Sequence, residues 1–230
     1  MSSYLRDTTL EALRTAHDAS LLLHDVLTGL SGPAEDWATP RGRQKIAVGF
    51  LSAISLRSSR AAMGIIGWGY VPEAMGLKRR IGEALWRTEK VINDQSGEYA
   101  RLWVDGKPPS GGIRVPELWR VYSAGTHADI RMMGLEVAEV AGMKRMTVPI
   151  LPTRQADMAN GILTEIAVEV LDQAAITVEW VLEREFTDDE QRCGDKIVEA
   201  IEKLRTKYFD GTSESIEASD GEASTVRYAP

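Results

Sequence analysis

Residues 10–30, LEALRTAHDASLLLHDVLTGL, decide the fold class. Leu10, Leu13, Ala16, Leu23, Leu27 and Leu30 recur at separations of three, four and seven, the spacing that lays one apolar stripe along a helix. The predicted helix covers 3–30 and is ended by Gly29 and the run SGPAEDWATP. A second helix is predicted over 41–70. Its main apolar face is Ala47, Phe50, Leu51, Ile54, Ala61, Ile65 and Trp68, and Gly49, Ala53, Ala61 and Gly64 form a strip of small residues suited to close packing. Pro72 opens a third helix, because proline is tolerated in a first turn, and Leu77, Ile81, Ala84, Leu85, Thr88, Val91 and Ile92 supply its core face.

A shorter helix over 97–104 precedes the breaker-rich GKPPSGGIRVP, after which a helix begins at Pro116. The run MTVPILPTR at 146–154 reads as an extended connector with room for one short strand. A long helix over 154–184 carries Ile162, Ile166, Val170, Ala174 and Val178 in four-residue steps. The last helix, over 188–208, carries Cys193, Ile197, Val198, Ile201 and Leu204, with Thr187 as N-cap and Glu190 as capping-box partner. No strand–helix alternation, phosphate loop, GxGxxG, GxSxG or tandem repeat occurs. The expected architecture is an all-α bundle of six or seven helices, one domain over 1–209, followed by a mobile acidic tail over 210–230.

Across 230 residues, 27 Lys+Arg face 34 Asp+Glu, for a net charge of −7. The tail holds Asp210, Glu214, Glu217, Asp220 and Glu222 against Arg227, so the remainder has 26 basic and 29 acidic residues. A nucleic-acid partner would therefore have to meet a local patch. Cys193 is the only cysteine, which excludes an internal disulfide framework and a Cys-based zinc site and fits a reducing cytoplasm. The amino terminus lacks an export signal, and the apolar region 46–77 is interrupted by Arg57, Arg60 and Glu73, so no membrane span is expected.

The polar constellation with a plausible chemistry lies in residues 116–142, PELWRVYSAGTHADIRMMGLEVAEVAG. At about 100° per residue, Arg120 and His127 fall nearly in line on a continuous helix, Arg131 extends that line, and Ser123 lies between while Tyr122 points elsewhere. A guanidinium beside an imidazole suits a phosphodiester, since arginine matches phosphate geometry and histidine moves protons near neutral pH. The spacing equally suits a helix whose histidine docks on a neighbour. Arg57 and Arg60 need a carboxylate or anion if buried and otherwise reach water. Arg79 and Glu83 make either a surface ion pair or part of a polar cleft shared with Arg120 and His127. A structural alternative is a buried network of Arg57, Arg79, Glu83 and His127 that fixes helix register. No metal is expected: His17 and His24 lie about 10 Å apart along a helix, and no Glu-x-x-His accompanies Glu165, Glu169 and Asp172.

Taken in order, Arg57-Ser58, then Glu73-Ala74-x4-Arg79-x3-Glu83, then Tyr122-Ser123-x3-His127 resemble a largely uncharacterised branch of bacterial and phage helical proteins similar to the HEPN superfamily. The resemblance covers about residues 45–185. Many members are metal-independent ribonucleases with Arg-x4–6-His, and Arg120 and His127 stand six residues apart; Val121 departs from the polar residue that commonly follows the arginine. The resemblance implies a metal-independent endoribonuclease, acting as a toxin or phage-defence component. Arg120, His127, Ser123 and Tyr122 would form the catalytic set, with Arg79, Glu83, Arg131 and Arg57 in support. It further implies RNA or a nucleotide as ligand, a homodimer, an antitoxin-like protein partner and no cofactor. The alternative is a non-catalytic helical module that binds a nucleotide or a protein.

Overall fold

Polar residues mark where the helices begin. The computed structural model describes residues 7–32, 36–107 and 156–207, and the backbone of 139–140 and 143–144. Thr39 accepts from the Gly42 backbone N–H and, with Pro40 in the first turn, starts α2 (Pro40–Gly67). Pro72 likewise lies in the first turn of α3 (Val71–Asn93). Thr187 and Glu190 form the expected capping box of α6 (Asp188–Arg205). Arg184 is the main cause that holds the Glu190 carboxyl down to about 2, helped by the backbone and hydroxyl of Thr187. The remaining helices are α1 (Asp7–Leu30), α4 (Glu98–Val104) and α5 (Ala156–Ile176), the last continuing into a π-helical turn at Thr177–Val181. Glu183, with φ of 53°, ends that run.

The described chain is thus all-helical, with six helices, apart from a two-residue antiparallel ladder. In it Glu139 of β1 (Glu139–Val140) faces Lys144 of β2 (Met143–Lys144). Its first strand falls at the end of the stretch 116–142, where β-branched Val140 weakens a helical reading, and its second lies just beyond it. The helix expected from Pro116, the strand expected within 146–154 and the tail 210–230 lie outside the described residues.

Helix α1 packs along α5 and α2 along α3; α3 also meets α5, and α6 covers α1 and α5. The core between them holds Leu23, Ile66, Ile81, Leu163, Ile166 and Val170, all fully enclosed. On α5 the five expected apolar positions are all buried. On α1 the buried line is Ala12, Ala16, Ala19, Leu23 and Val26, with Leu10, Leu13, Leu27 and Leu30 at its margins. Gly97 needs its left-handed φ of 67°, and a Cβ there would lie 2.8 Å from Pro40, so α4 starts hard against the first turn of α2.

The buried face of α2 differs from the one expected. Phe50 is 57% exposed and Trp68 69%, while Gln44, Ser52, Ser55, Ser58 and Ser59 are buried. Each of four inward polar side chains finds a partner. Gln44 donates to the carbonyls of Val91 (2.8 Å) and Asp94 (2.6 Å), and the hydroxyls of Ser59 and Ser20 meet at 2.9 Å. Ser55 donates to Gln173 Oε1 at 2.8 Å, and Gln173 Nε2 donates to Ser52 at 3.2 Å and to Thr88 at 2.7 Å. These serines are inside because they hydrogen-bond there and, being small, let the helices approach.

Gln173→Ala removes three hydrogen bonds and opens a void, so denaturant unfolding is expected to show a loss of about 3 kcal/mol. Thr187→Ala, at an exposed cap, is expected to cost about 1 kcal/mol in the same measurement.

Candidate functional site

Arg120, Tyr122, Ser123, His127 and Arg131 lie outside the described residues. The supporting set is within them. Arg57 is exposed on α2, and Arg79 and Glu83 are half-buried on α3. Glu83 accepts from Arg87 Nε at 3.0 Å and Nη2 at 2.6 Å, so the arginine one turn onward holds it. With Arg57 in solvent, it cannot belong to the buried network expected with Arg79 and Glu83; the polar network centred on Gln173 occupies the interior instead.

The structure brings Arg57 beside Arg80, which the sequence did not single out. A cleft of about 340 Å³ between α2 and α3 is lined by Ile54, Arg57, Ser58, Ala61, Leu77 and Arg80. Ile54 and Arg80 also line a second hollow of about 150 Å³ with Glu83, Arg87 and Trp103, so the two share a wall. Helix α2 contains Arg41, Arg43, Lys45, Arg57 and Arg60 and no acidic residue. Two of these are structural. Arg41 lies 3.7 Å from the centroid of the Trp180 ring and donates to Glu183 at 2.6 Å, while Arg43 donates to the carbonyls of Trp37, Ala38, Ser96 and Gly97. Arg57, Arg60 and Arg80 are exposed, and among the described residues none of the three has a hydrogen-bond or ion-pair partner.

Phe50, Arg57, Ala61, Gly64 and Trp68 share one face of α2, with Arg60 beside them. Eighteen residues at 1.5 Å each set the two aromatics about 27 Å apart along the axis. Exposed aromatics with arginines between them are chemically suited to stacked bases and phosphates. The signal in the sequence was the absence of any acid over 40–67, together with two arginines inside an apolar run.

A second polar cluster joins α3 to α5. Lys78, 7% exposed, places Nζ 2.7 Å from Glu165 and 3.0 Å from Glu169. Glu169 lines a cavity with Thr164, Val168, Leu204 and Arg205. Burial pushes its carboxyl above the ordinary value, more than the Lys78 ammonium lowers it. Two of the acidic residues of α5, Glu165 and Glu169, therefore serve an internal lysine. Among the described residues, no group of His, Cys, Asp and Glu side chains has the arrangement to hold a metal ion. His17 and His24 are exposed on α1.

No family model matches this chain, and neither a curated protein nor a solved structure matches it. Among the described residues, no helix is long and apolar enough to cross a membrane.

The raised carboxyl of Glu169 gives stability a definite pH dependence. From the ordinary 4.5 up to its raised folded value, the folded chain holds more protons than the unfolded, so this contribution falls as pH rises through that window. Denaturant unfolding across pH 4.5 and upward is expected to show a smaller decline for Glu169→Gln than for the parent chain. Parallel curves would refute the assignment.

Proposed function

We propose that this protein is a HEPN-like helical ribonuclease that holds single-stranded RNA along the outward face of α2 and its groove with α3. The observation that carries the binding reading is the row Phe50, Arg57, Arg60 and Trp68 on an acid-free helix, with Arg80 across the groove. Three arginines without partners among the described residues contact phosphates, and the two aromatics stack bases. A span of about 27 Å fits a single-strand site of roughly four or more nucleotides.

The cleavage reading rests on the resemblance and on the residues that carry it. In it, His127 either takes the proton of the ribose 2′-OH or protonates the leaving 5′-oxygen, with water making the other proton transfer, and the 2′-oxygen attacks phosphorus as the P–O5′ bond breaks. The products are a 2′,3′-cyclic phosphate and a 5′-hydroxyl. Arg120, with Arg131 or Arg79, stabilises the charge that builds on the phosphorane oxygens, and Ser123 and Tyr122 orient the phosphate. A homodimer and a protein partner of antitoxin type belong to the same proposal. Binding by α2 does not require His127, so the second reading, a non-catalytic RNA-binding module, draws on the same arginines and aromatics.

Fluorescence polarisation with a labelled single-stranded RNA is expected to show affinity falling with salt at a log–log slope near −2, for about three phosphate contacts. Trp68→Ala is expected to weaken binding by about 1–3 kcal/mol, and Arg80→Ala to reduce the slope by about 0.7. Incubation with RNA in EDTA is expected to give cleavage by the parent chain and none by His127→Ala. Binding without cleavage selects the module, and equal cleavage by both chains removes His127 from the mechanism. Absence of binding overturns both readings.

A further inference from the structure

The groove between α2 and α3 and the segment that follows α6 are opposite in charge. Helix α2 carries five cations and no acid, and Arg57, Arg60 and Arg80 stand exposed without a hydrogen-bond or ion-pair partner among the described residues. Residues 208–222, YFDGTSESIEASDGE, lie outside the described residues and hold the reverse: Asp210, Glu214, Glu217, Asp220 and Glu222, with neither lysine nor arginine. Ile216 is the only large aliphatic residue of that stretch, and Glu214 and Glu217 flank it. An aliphatic side chain between carboxylates matches a groove whose wall is Ile54, Ala61 and Leu77 together with Arg57 and Arg80.

The fold also sets the two within reach of one another. Leu204 and Arg205, at the end of α6, line one cavity with Lys78 of α3, and the residue before it, Leu77, lines the groove. Only the thickness of α3, about 10–12 Å with its side chains, separates the start of the segment from the groove. From Arg205 to Glu214 the chain extends to about 30 Å at roughly 3.3 Å per residue, enough to pass around α3. Exposed ion pairs between separate molecules contribute little. A segment tethered this closely meets the groove at an effective concentration of mM order, so the same weak pairs suffice to seat it.

We propose that residues 208–222 dock on the α2–α3 groove of their own chain, with Ile216 against Ile54 and Leu77 and with Glu214 and Glu217 on Arg57 and Arg80. A polyanion then reaches these arginines only by displacing the carboxylates. The segment acts as an internal competitor, and its hold weakens with salt because exposed charges are screened. The docking stands on charge, groove and reach alone. Its competition with RNA rests on the RNA-binding reading of α2.

Phenylglyoxal modification of the full chain, read at each arginine by mass spectrometry, tests the docking, with exposed Arg14 of α1 as reference. The neutralised chain carries Asp210→Asn, Glu214→Gln, Glu217→Gln, Asp220→Asn and Glu222→Gln together and alters no core residue. At low salt Arg57 and Arg80 are expected to react about threefold or more slowly in the parent than in the neutralised chain, with Arg14 equal in both. That difference is expected to vanish in about 1 M salt, where the Debye length is about 3 Å. Ile216→Ser keeps every carboxylate and is expected to raise both rates. Equal rates in the parent and neutralised chains overturn the docking, and unchanged rates in Ile216→Ser overturn the seat of Ile216. Protection lost on dilution assigns the contact to the segment of a second copy and overturns docking within one chain. In fluorescence polarisation with single-stranded RNA at low salt, the neutralised chain is expected to bind roughly threefold or more tightly than the parent, and Ile216→Ser, whose net charge is unchanged, to bind more tightly as well. Equal RNA affinities beside protected arginines overturn the competition. If no chain binds RNA, the RNA reading fails while the arginine rates still decide the docking.

Discussion

One fully enclosed carboxamide constrains how three helices meet. Gln173 on α5 accepts from Ser55 and donates to Ser52, both on α2, and donates to Thr88 on α3. In a low-dielectric interior each of these bonds is strong, and each polar atom left without one would be expensive. Sliding α2 by a turn, or rotating it to bury Phe50, would strand the amide and the hydroxyls together. Apolar contacts tolerate such slippage far better than directional hydrogen bonds do, so this cluster sets the register of α2 against α3 and α5.

The outward chemistry of α2 follows from that rotation. With serines and Gln44 turned inward, Phe50, Arg57, Arg60 and Trp68 are left facing water. A helix with no acidic residue then presents its arginines without internal neutralisation, except where Arg41 and Arg43 are used to fasten its first turn. The polar interior and the cationic exterior of α2 are therefore two consequences of one packing choice. Arg80 from α3 adds to the same field because α3 lies alongside.

The cluster around Lys78 is a different way of placing charge inside a helical protein. Here an ammonium from α3 is compensated by two carboxylates one turn apart on α5, and the geometry is short and direct. Such pairs seldom add much net stability, because the desolvation of each ion opposes the attraction. One oxygen of Glu169 is engaged by Lys78, and the other is buried without a hydrogen-bond partner.

Much of this was legible in the sequence. The all-helical class, most limits of the described helices, the first-turn Pro72, the cap at Thr187 and the buried line of α5 all depend on local periodicity and on side chains within four residues of the backbone groups they satisfy. The expected supporting residues Arg57, Arg79 and Glu83 lie on α2 and α3, but which of them share a cleft was not a local matter. Glu83 had Arg79 and Arg87 each four positions away, and packing selected Arg87. The inward face of α2 was misjudged because hydrophobicity alone ranks Phe50 and Trp68 above serine. Partners for those serines come from positions 39 to 125 residues distant and exist only after the helices assemble. Periodicity along the chain thus determined that helices form and where they stop, whereas long-range hydrogen bonds decided which side of α2 faces the core and which of its arginines face water.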